Sequence, residues 1–449
     1  MTTGKLLKSL LDIAGLSQKS FAGSISISSS KLSKLINSNI FLSRKEASDF
    51  FERASRILAN EIFEPDCWFK LQSLFPFVVK FRSRHELYQF LLTAFSYSNV
   101  LDREAADKSV PDRSRKDLHY FGTQECKYIF YIISSDYLTR DIQQKHEFFS
   151  SLPRYSDKFI DCFEDIVPLL PAGKFNISMQ QFIYLQRKTD ARIRYGEGNV
   201  EKIFEEEEYS DLYFRQLDFV SSNHFFMLKN QFVLLFNEYV AGAPQITLIR
   251  NLAQLDHYSK FVDSAMEKAG RRSFCQNSVT DFLNRKADED EEVRDKMRVI
   301  YDLAQIMDST DFPDPLHFFD SILKNDAAFF ITSDALAGFL FSRSISEQLL
   351  KIEEISLGKR INYVRNFYKY LDKYKDSRIN IIESHVFGVV IVCRGKSSLI
   401  CMVNVPKNCL KYHILPTEAI ADEMTKWAGL SAIDSTLFIK TLMRQVRDQ

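Results

Sequence analysis

Apolar residues in the first sixty positions recur at helical spacing. Leu6, Leu7, Leu10 and Leu11 share one face of segment 5–14, and Gly15 stops the run. Segments 17–24 and 28–36 read as two shorter helices. Ser43-Arg44-Lys45-Glu46 has the form of a capping box, in which the serine hydroxyl takes one free backbone N–H and the glutamate reaches back to another. The helix it opens carries Ala47, Phe50, Phe51, Ala54, Ile57 and Leu58 on one side, and Glu64-Pro65 closes the block.

Beyond that point the pattern predicts mostly helix through residue 330. The clearest stripe is 291–308, with Val293, Met297, Ile300, Leu303, Ala304 and Met307 at helical intervals. Segments 224–240 and 251–268 read the same way. The most apolar stretch, Phe225 to Ala243, is broken by Lys229, Asn230, Gln231, Asn237 and Glu238, so it reads as a buried helix and not as a membrane span. Short strand-like runs fall near 73–80 and 124–134. The polar stretches 102–117, 205–211 and 284–292 read as exposed loops, and no internal repeat is discernible. After residue 330 the pattern becomes mixed. Helices are expected at 333–341, 345–354, 358–374, 417–428 and 432–446. Strands are expected at 378–383, 386–393 and 398–404, the last two joined as an antiparallel hairpin through Arg394-Gly395-Lys396-Ser397. The expected fold is therefore mainly α. It has a five-helix head at 1–64, a large helical middle at 65–330 and a mixed α/β unit at 331–449.

Composition supports long helices: Gly 14 and Pro 11 in 449 residues are few breakers. A hydrophobic share of 45% and a charged share of 26% exclude a largely disordered chain. Formal net charge is zero, yet residues 1–45 hold Lys5, Lys8, Lys19, Lys31, Lys34, Arg44 and Lys45 against Asp12 alone. A basic head on an acidic body suggests a polyanionic partner at the head. The cysteines number 7, are scattered and form no CxxC pair, which fits a reducing cytosol. No signal-peptide pattern is present, so a cytoplasmic location is expected.

Segment 16–39 (LSQKSFAGSISISSSKLSKLINSN) has the physical logic of a helix-turn-helix. Ser17 caps the first helix, Phe21 faces the core, and Ala22 is small where two helices cross. Ile25 and Ile27 bracket the turn and point inward. Ser28 caps the second helix, which buries Leu32, Leu35 and Ile36 and turns Ser29, Ser30, Ser33, Lys34 and Asn37 outward. An amphipathic helix with short polar side chains and a lysine outward suits a DNA major groove. The chain here resembles the Cro/cI-like (XRE-type) DNA-binding domains. The likeness runs without a gap through Leu16-Ser17-Gln18, Phe21-Ala22, Ile25, Ile27-Ser28, Leu32-Ser33, Leu35 and Asn37, and covers about the first sixty residues. It implies a five-helix domain whose third helix reads bases through Ser29, Ser30, Ser33 and Lys34. Gln18, Ser28, Lys31 and Asn37 then fall at backbone-contact positions, with Arg44 and Lys45 extending the phosphate grip. Ser26 and Ser38 stand where the family prefers glycine, and Ile36 where it often has glutamate.

The expected function is a sequence-specific transcriptional regulator that binds double-stranded DNA as a homodimer. Two half-sites are needed because one short helix reads few base pairs. The body would oligomerise and respond to a small-molecule or peptide effector. The alternative is a protein-interaction factor, such as an antitoxin or a peptide-pheromone receptor. No cofactor, metal or enzymatic activity is expected. Gly395-Lys396-Ser397 lacks the earlier glycine of a phosphate loop, since Val390 stands there, and the histidines show no metal spacing.

Overall fold

The computed structural model describes residues 1–37, 42–78, 80–106, 115–152, 175–184, 210–217, 224–238, 242–272, 298–301, 328–341, 379–383, 389–394, 397–404, 409–415 and 432–447, with a few single positions between them. The chain begins with α1 (Thr3–Ala14), α2 (Gln18–Ser24), α3 (Ser29–Ile36) and α4 (Arg44–Ile62). The first four predicted helices are thus present within a residue or two of their expected limits. Leu6, Leu7, Leu10, Phe21, Leu32, Ala54 and Leu58 are fully or almost fully buried.

The fifth helix lies outside the expected block. Pro65 opens α5 (Pro65–Leu74), with Glu64 at its N-cap, although in sequence Glu64-Pro65 reads as a closing signal. Proline suits the first turn of a helix, because its missing N–H would have no intrahelical partner there. The strand-like run 73–80 begins in the end of α5 and continues as irregular chain that buries Phe75, Phe77, Val78 and Phe81.

Two long helices follow, α6 (Arg84–Ala106) and α7 (Thr123–Arg140). The second corrects the strand expected at 124–134. In α7, Tyr128 through Leu138 are all buried. A helix buried on every side shows no helical period, and its run of Ile, Phe and Tyr mimics a strand.

The first sheet has the order β1-β7-β6-β5-β2-β3-β4. Its strands are β1 (Leu118–Phe121), β2 (His146–Ser150), β3 (Ile177–Tyr184), β4 (Asp211–Leu217), β5 (His224–Leu228), β6 (Phe232–Glu238) and β7 (Pro244–Ile249). Strands β5 and β6 form a hairpin where the sequence pattern predicts a helix over 224–240; Leu228 pairs with Phe232 across the turn. Asn230 sits in the turn with φ 60, a left-handed conformation that asparagine tolerates.

The helix-like run at 224–240 has a physical cause. This sheet is covered on both faces. Phe148, Phe226, Leu228, Phe232, Leu234 and Phe236 face the core shared with α6 and α7. Phe149, Phe182, Phe225, Met227 and Val233 face a second cluster with Leu255 and Val262 of α8 (Leu252–Arg272). Strands buried on both sides lose polar alternation and read as continuous apolar runs. Helix α8 matches the expected 251–268 segment. The acidic run 205–211 is not all exposed: Glu206 is buried and Asp211 opens β4.

The second sheet has the order β13-β12-β11-β8-β9-β10-β14. It contains β8 (Arg298–Tyr301), β9 (Ala328–Thr332), β10 (Ile379–Ile382), β11 (Val389–Arg394), β12 (Ser397–Asn404), β13 (Cys409–Leu415) and β14 (Ala432–Ile433). The expected hairpin is there, closing on Arg394 opposite Ser397. Helices α9 (Ser333–Phe341) and α10 (Ser435–Arg447) match the expected 333–341 and the later part of 432–446. The stripe at 291–308 is not a helix at 298–301, which is β8; the rest of that stripe lies outside the described residues. So do the expected segments 345–354, 417–428 and 284–292 and most of 358–374. Among the described residues, then, helices dominate up to Arg140 and mixed sheets dominate after it.

The two sheets repeat one plan. In the first, β2, β3 and β4 run parallel, β5 is antiparallel to β2, and β5-β6-β7 is an antiparallel meander. In the second, β8, β9 and β10 run parallel, β11 is antiparallel to β8, and β11-β12-β13 is again a meander. The outer edges differ: β1 covers β7 in the first sheet, and β14 covers β10 in the second. A repeat of topology is therefore present where the sequence shows no period.

Candidate nucleic-acid interface

The candidate interface is built on α2, the turn after it, and α3. Ser17 Oγ accepts from Ser20 N at 3.1 Å, and Ser28 Oγ accepts from Lys31 N at 3.2 Å. Each serine starts its helix by satisfying one of the free N–H groups of the first turn. Between the helices, Ser26 adopts φ 55, the left-handed region. This is the position where the resembling domains prefer glycine, so a serine here carries a conformational cost that glycine would not. Arg53 of α4 donates from Nη1 to Ile25 O at 3.0 Å and also pairs with Asp49, which fixes the turn from outside.

The inward face of α3 is Leu32, Leu35 and Ile36, all buried. Ala22 and Ile25 are buried beneath it. The outward face holds Ser29, Ser30 and Lys34, all exposed. Ser33 is half-buried and accepts from Asn37 Nδ2 at 3.5 Å; Asn37 itself is exposed at the C-cap. Gln18 is exposed at the first position of α2, and Ser28 is exposed at the N-cap of α3. The serines and Lys34 thus share the open side of one short helix. Arg44 and Lys45 open α4, Lys45 being exposed.

Lys31 ties α3 to that second group. Its Nζ lies 3.2 Å from Glu46 Oε1. Glu46 also completes the capping box: Ser43 N donates to its Oε2 at 3.1 Å, and Glu46 N donates to Ser43 Oγ at 3.4 Å. The Ser43 hydroxyl and backbone N–H, followed by the Lys31 ammonium, hold the Glu46 carboxyl down at about 2. Of the predicted backbone-contact residues, Lys31 is therefore already engaged by a carboxylate in the free protein.

Two positions and one pairing that shape this surface do not stand out in the sequence. Gly4 is buried where α1 crosses the end of α3. A Cβ built on it would lie 2.3 Å from Ile36 O and 2.8 Å from Leu35 O. A glycine near a helix start looks like an indifferent residue, so nothing local marks this one. The contact of Arg53 to the turn and the pairing of Glu46 with Lys31 are not visible locally, because they act across 28 and 15 residues of sequence, respectively.

No protein-family model matches the chain, and no curated protein matches it. Among solved structures, one similar chain is TrmBL2, an archaeal chromatin protein described as showing a novel mode of DNA binding. It shares 11% identity over 51% of this chain and 99% of its own, at a TM-score of 0.20. Another is phosphatidylserine synthase from Haemophilus influenzae Rd KW20, with 10% identity over 75% of this chain and 94% of its own, at a TM-score of 0.21. Superpositions this loose carry no argument about fold or function. No helix among the described residues is long and apolar enough to cross a membrane.

Proposed function

We propose that this protein is a sequence-specific DNA-binding regulator. In this reading α3 enters the major groove and presents Ser29, Ser30, Ser33 and Lys34 to base edges. Gln18, Ser28, Lys31 and Asn37 grip phosphates, and Arg44 and Lys45 extend that grip. The observation that carries the reading is the exposed serine-and-lysine face of α3, set against a buried leucine face and joined to α2 by a left-handed residue. Serine hydroxyls donate or accept and so discriminate bases poorly; Lys34 carries most of the direct readout, at a guanine. Two copies of the chain bind inverted half-sites, because one helix of this length reads too few base pairs. The body serves assembly and the sensing of a small-molecule or peptide effector, and no catalytic step is assigned to it.

The test is a genomic-fragment pull-down with the purified full-length chain at two salt concentrations. Recovery of a few sites with paired half-sites is expected. Affinity should fall with salt by about 0.9 in log–log slope per phosphate contact. Lys34→Ala should relax preference at one base position, and Gln18→Ala should weaken all duplexes alike. Failure to retain any duplex would transfer the head to a protein-binding role.

A further inference from the structure

Three consecutive residues of α6 hold three different parts of the molecule. Asp102, buried at 7% exposure, accepts from Thr3 N through Oδ2 at 2.9 Å. Arg103 donates from Nη2 to Leu42 O at 3.4 Å. Glu104 takes Arg250 in a two-pronged pair, with Nη1 and Nη2 each 2.8 Å from a carboxylate oxygen. Successive residues on a helix point about 100° apart, so neighbours in sequence can serve three directions. Arg250 directly follows β7, and its side chain is 2% exposed. Its Nε has no partner among the described residues.

The first two contacts reach opposite ends of the recognition helix. Thr3 is the first residue of α1, and the next residue, Gly4, lies directly against the carbonyls of Leu35 and Ile36 at the end of α3. Leu42 directly precedes Ser43, the capping serine of α4, and that box holds Glu46 against Lys31 in the first turn of α3. One route therefore runs from the sheet through Arg250, Glu104 and Asp102 to the end of α3. The other runs through Arg103 and Leu42 to its start.

We propose that Asp102, Arg103 and Glu104, anchored on Arg250, are positioning residues that fix the attitude of the recognition helix relative to the first sheet. The proposal rests on the reading that α3 contacts DNA. It adds that the head is not a tethered bead, so the distance between two half-sites is set by the body.

The experiment uses the full chain with Arg103→Ala, Arg103→Lys, and the pair Glu104→Leu with Arg250→Met, which keeps the site filled without a lone buried charge. Backbone hydrogen exchange is read at Thr3 and at 42–47, with 224–238 as the internal reference. Duplexes are then selected from a random library by each variant. Expected are a rise in exchange of about tenfold at the head amides only, a wider range of accepted half-site spacings with the half-site sequence unchanged, and return of protection with Arg103→Lys. Unchanged head exchange, or an equal rise at 224–238, would overturn the positioning role. If the unaltered chain selects no duplex, DNA reading fails while the exchange arm still decides the coupling.

Discussion

In the head, α2, α3 and α4 each begin on a serine that accepts a backbone N–H three residues on. The strands of the first sheet are not placed by such caps at their starts among the described residues. The sheet is held by Phe130 of α7 against Phe226 at 5.0 Å, by Phe148 stacked on Phe226 at 5.1 Å, and by Phe77 against Phe130 at 5.8 Å. Phe77 and Phe226 are about 150 residues apart in sequence, yet both pack on Phe130. The helix starts of the head are set by contacts between near neighbours, and the sheet is held by contacts between distant ones. Local signals place a helix within a residue or two, whereas apolar mass alone places an element somewhere in a core without fixing its period.

The comparison breaks most visibly in the sheet. Phe130→Ala removes a fully buried ring touched by Phe77, Phe148's partner Phe226, and Phe236. A loss of about 3–5 kcal/mol is expected for a large aromatic removed from a core. Because one apolar cluster runs from Leu6 to the sheet, denaturant unfolding followed at the head and at β5 should shift together. A head that melts at its original midpoint would show the two regions to be independent.

Gly4→Ala is the corresponding change in the head. The added methyl meets backbone oxygens, which cannot swing aside as a flexible side chain would. An overpacking cost of about 3 kcal/mol is expected, confined to the α1–α3 crossing. Amide signals of α3 should broaden or move while those of β5 and β6 stay. If α3 is unperturbed, the close crossing of α1 and α3 is wrong.

These two variants also mark what was legible. Most of the predicted core of the head, from Leu6 to Leu58, is buried as expected, with Ile27 and Ile57 only half-buried against it, because caps and helical periods are local. The serine-and-lysine face of α3 was legible for the same reason. Gly4, Arg53 and the Lys31–Glu46 pair were not, since each acquires its meaning only from a distant segment. The β5–β6 hairpin was hidden because both faces are covered, even though Asn230 stood at its turn. Helix α7 was hidden by the opposite accident, a run of Ile, Phe and Tyr in a helix buried all round. The shared plan of the two sheets left no trace, because strand order is a relation among pairings and needs no period in the chain.

Ser26 offers a gain instead of a loss. Its left-handed backbone costs an L-residue about 1–2 kcal/mol, part of which glycine recovers after its own entropy is counted. Ser26→Gly should therefore stabilise the head by about 0.5–1 kcal/mol, read as a higher denaturant midpoint with an unchanged slope. No gain would mean that the Arg53 contact to Ile25 O already absorbs the cost.

The smallest effect separates the two causes acting on one carboxyl. Glu46 titrates near 2 in the folded chain, below its ordinary value of 4.5, chiefly through the Ser43 hydroxyl and next through Ser43 N–H and Lys31. A depressed carboxyl contributes stability above its unfolded value and loses it as pH falls toward its folded one. The contribution of Glu46 is thus complete above about pH 4.5 and should fade between there and about pH 2. A carbon-detected titration of the Glu46 carboxyl should show its midpoint near 2 in the unaltered chain. Ser43→Ala should move it up further than Lys31→Ala does, because the cap outranks the ion pair between two exposed side chains. The reverse order would make the lysine the main partner. In that case DNA phosphates, by drawing Lys31 away, would raise the Glu46 carboxyl and loosen the first turn of α4 on binding.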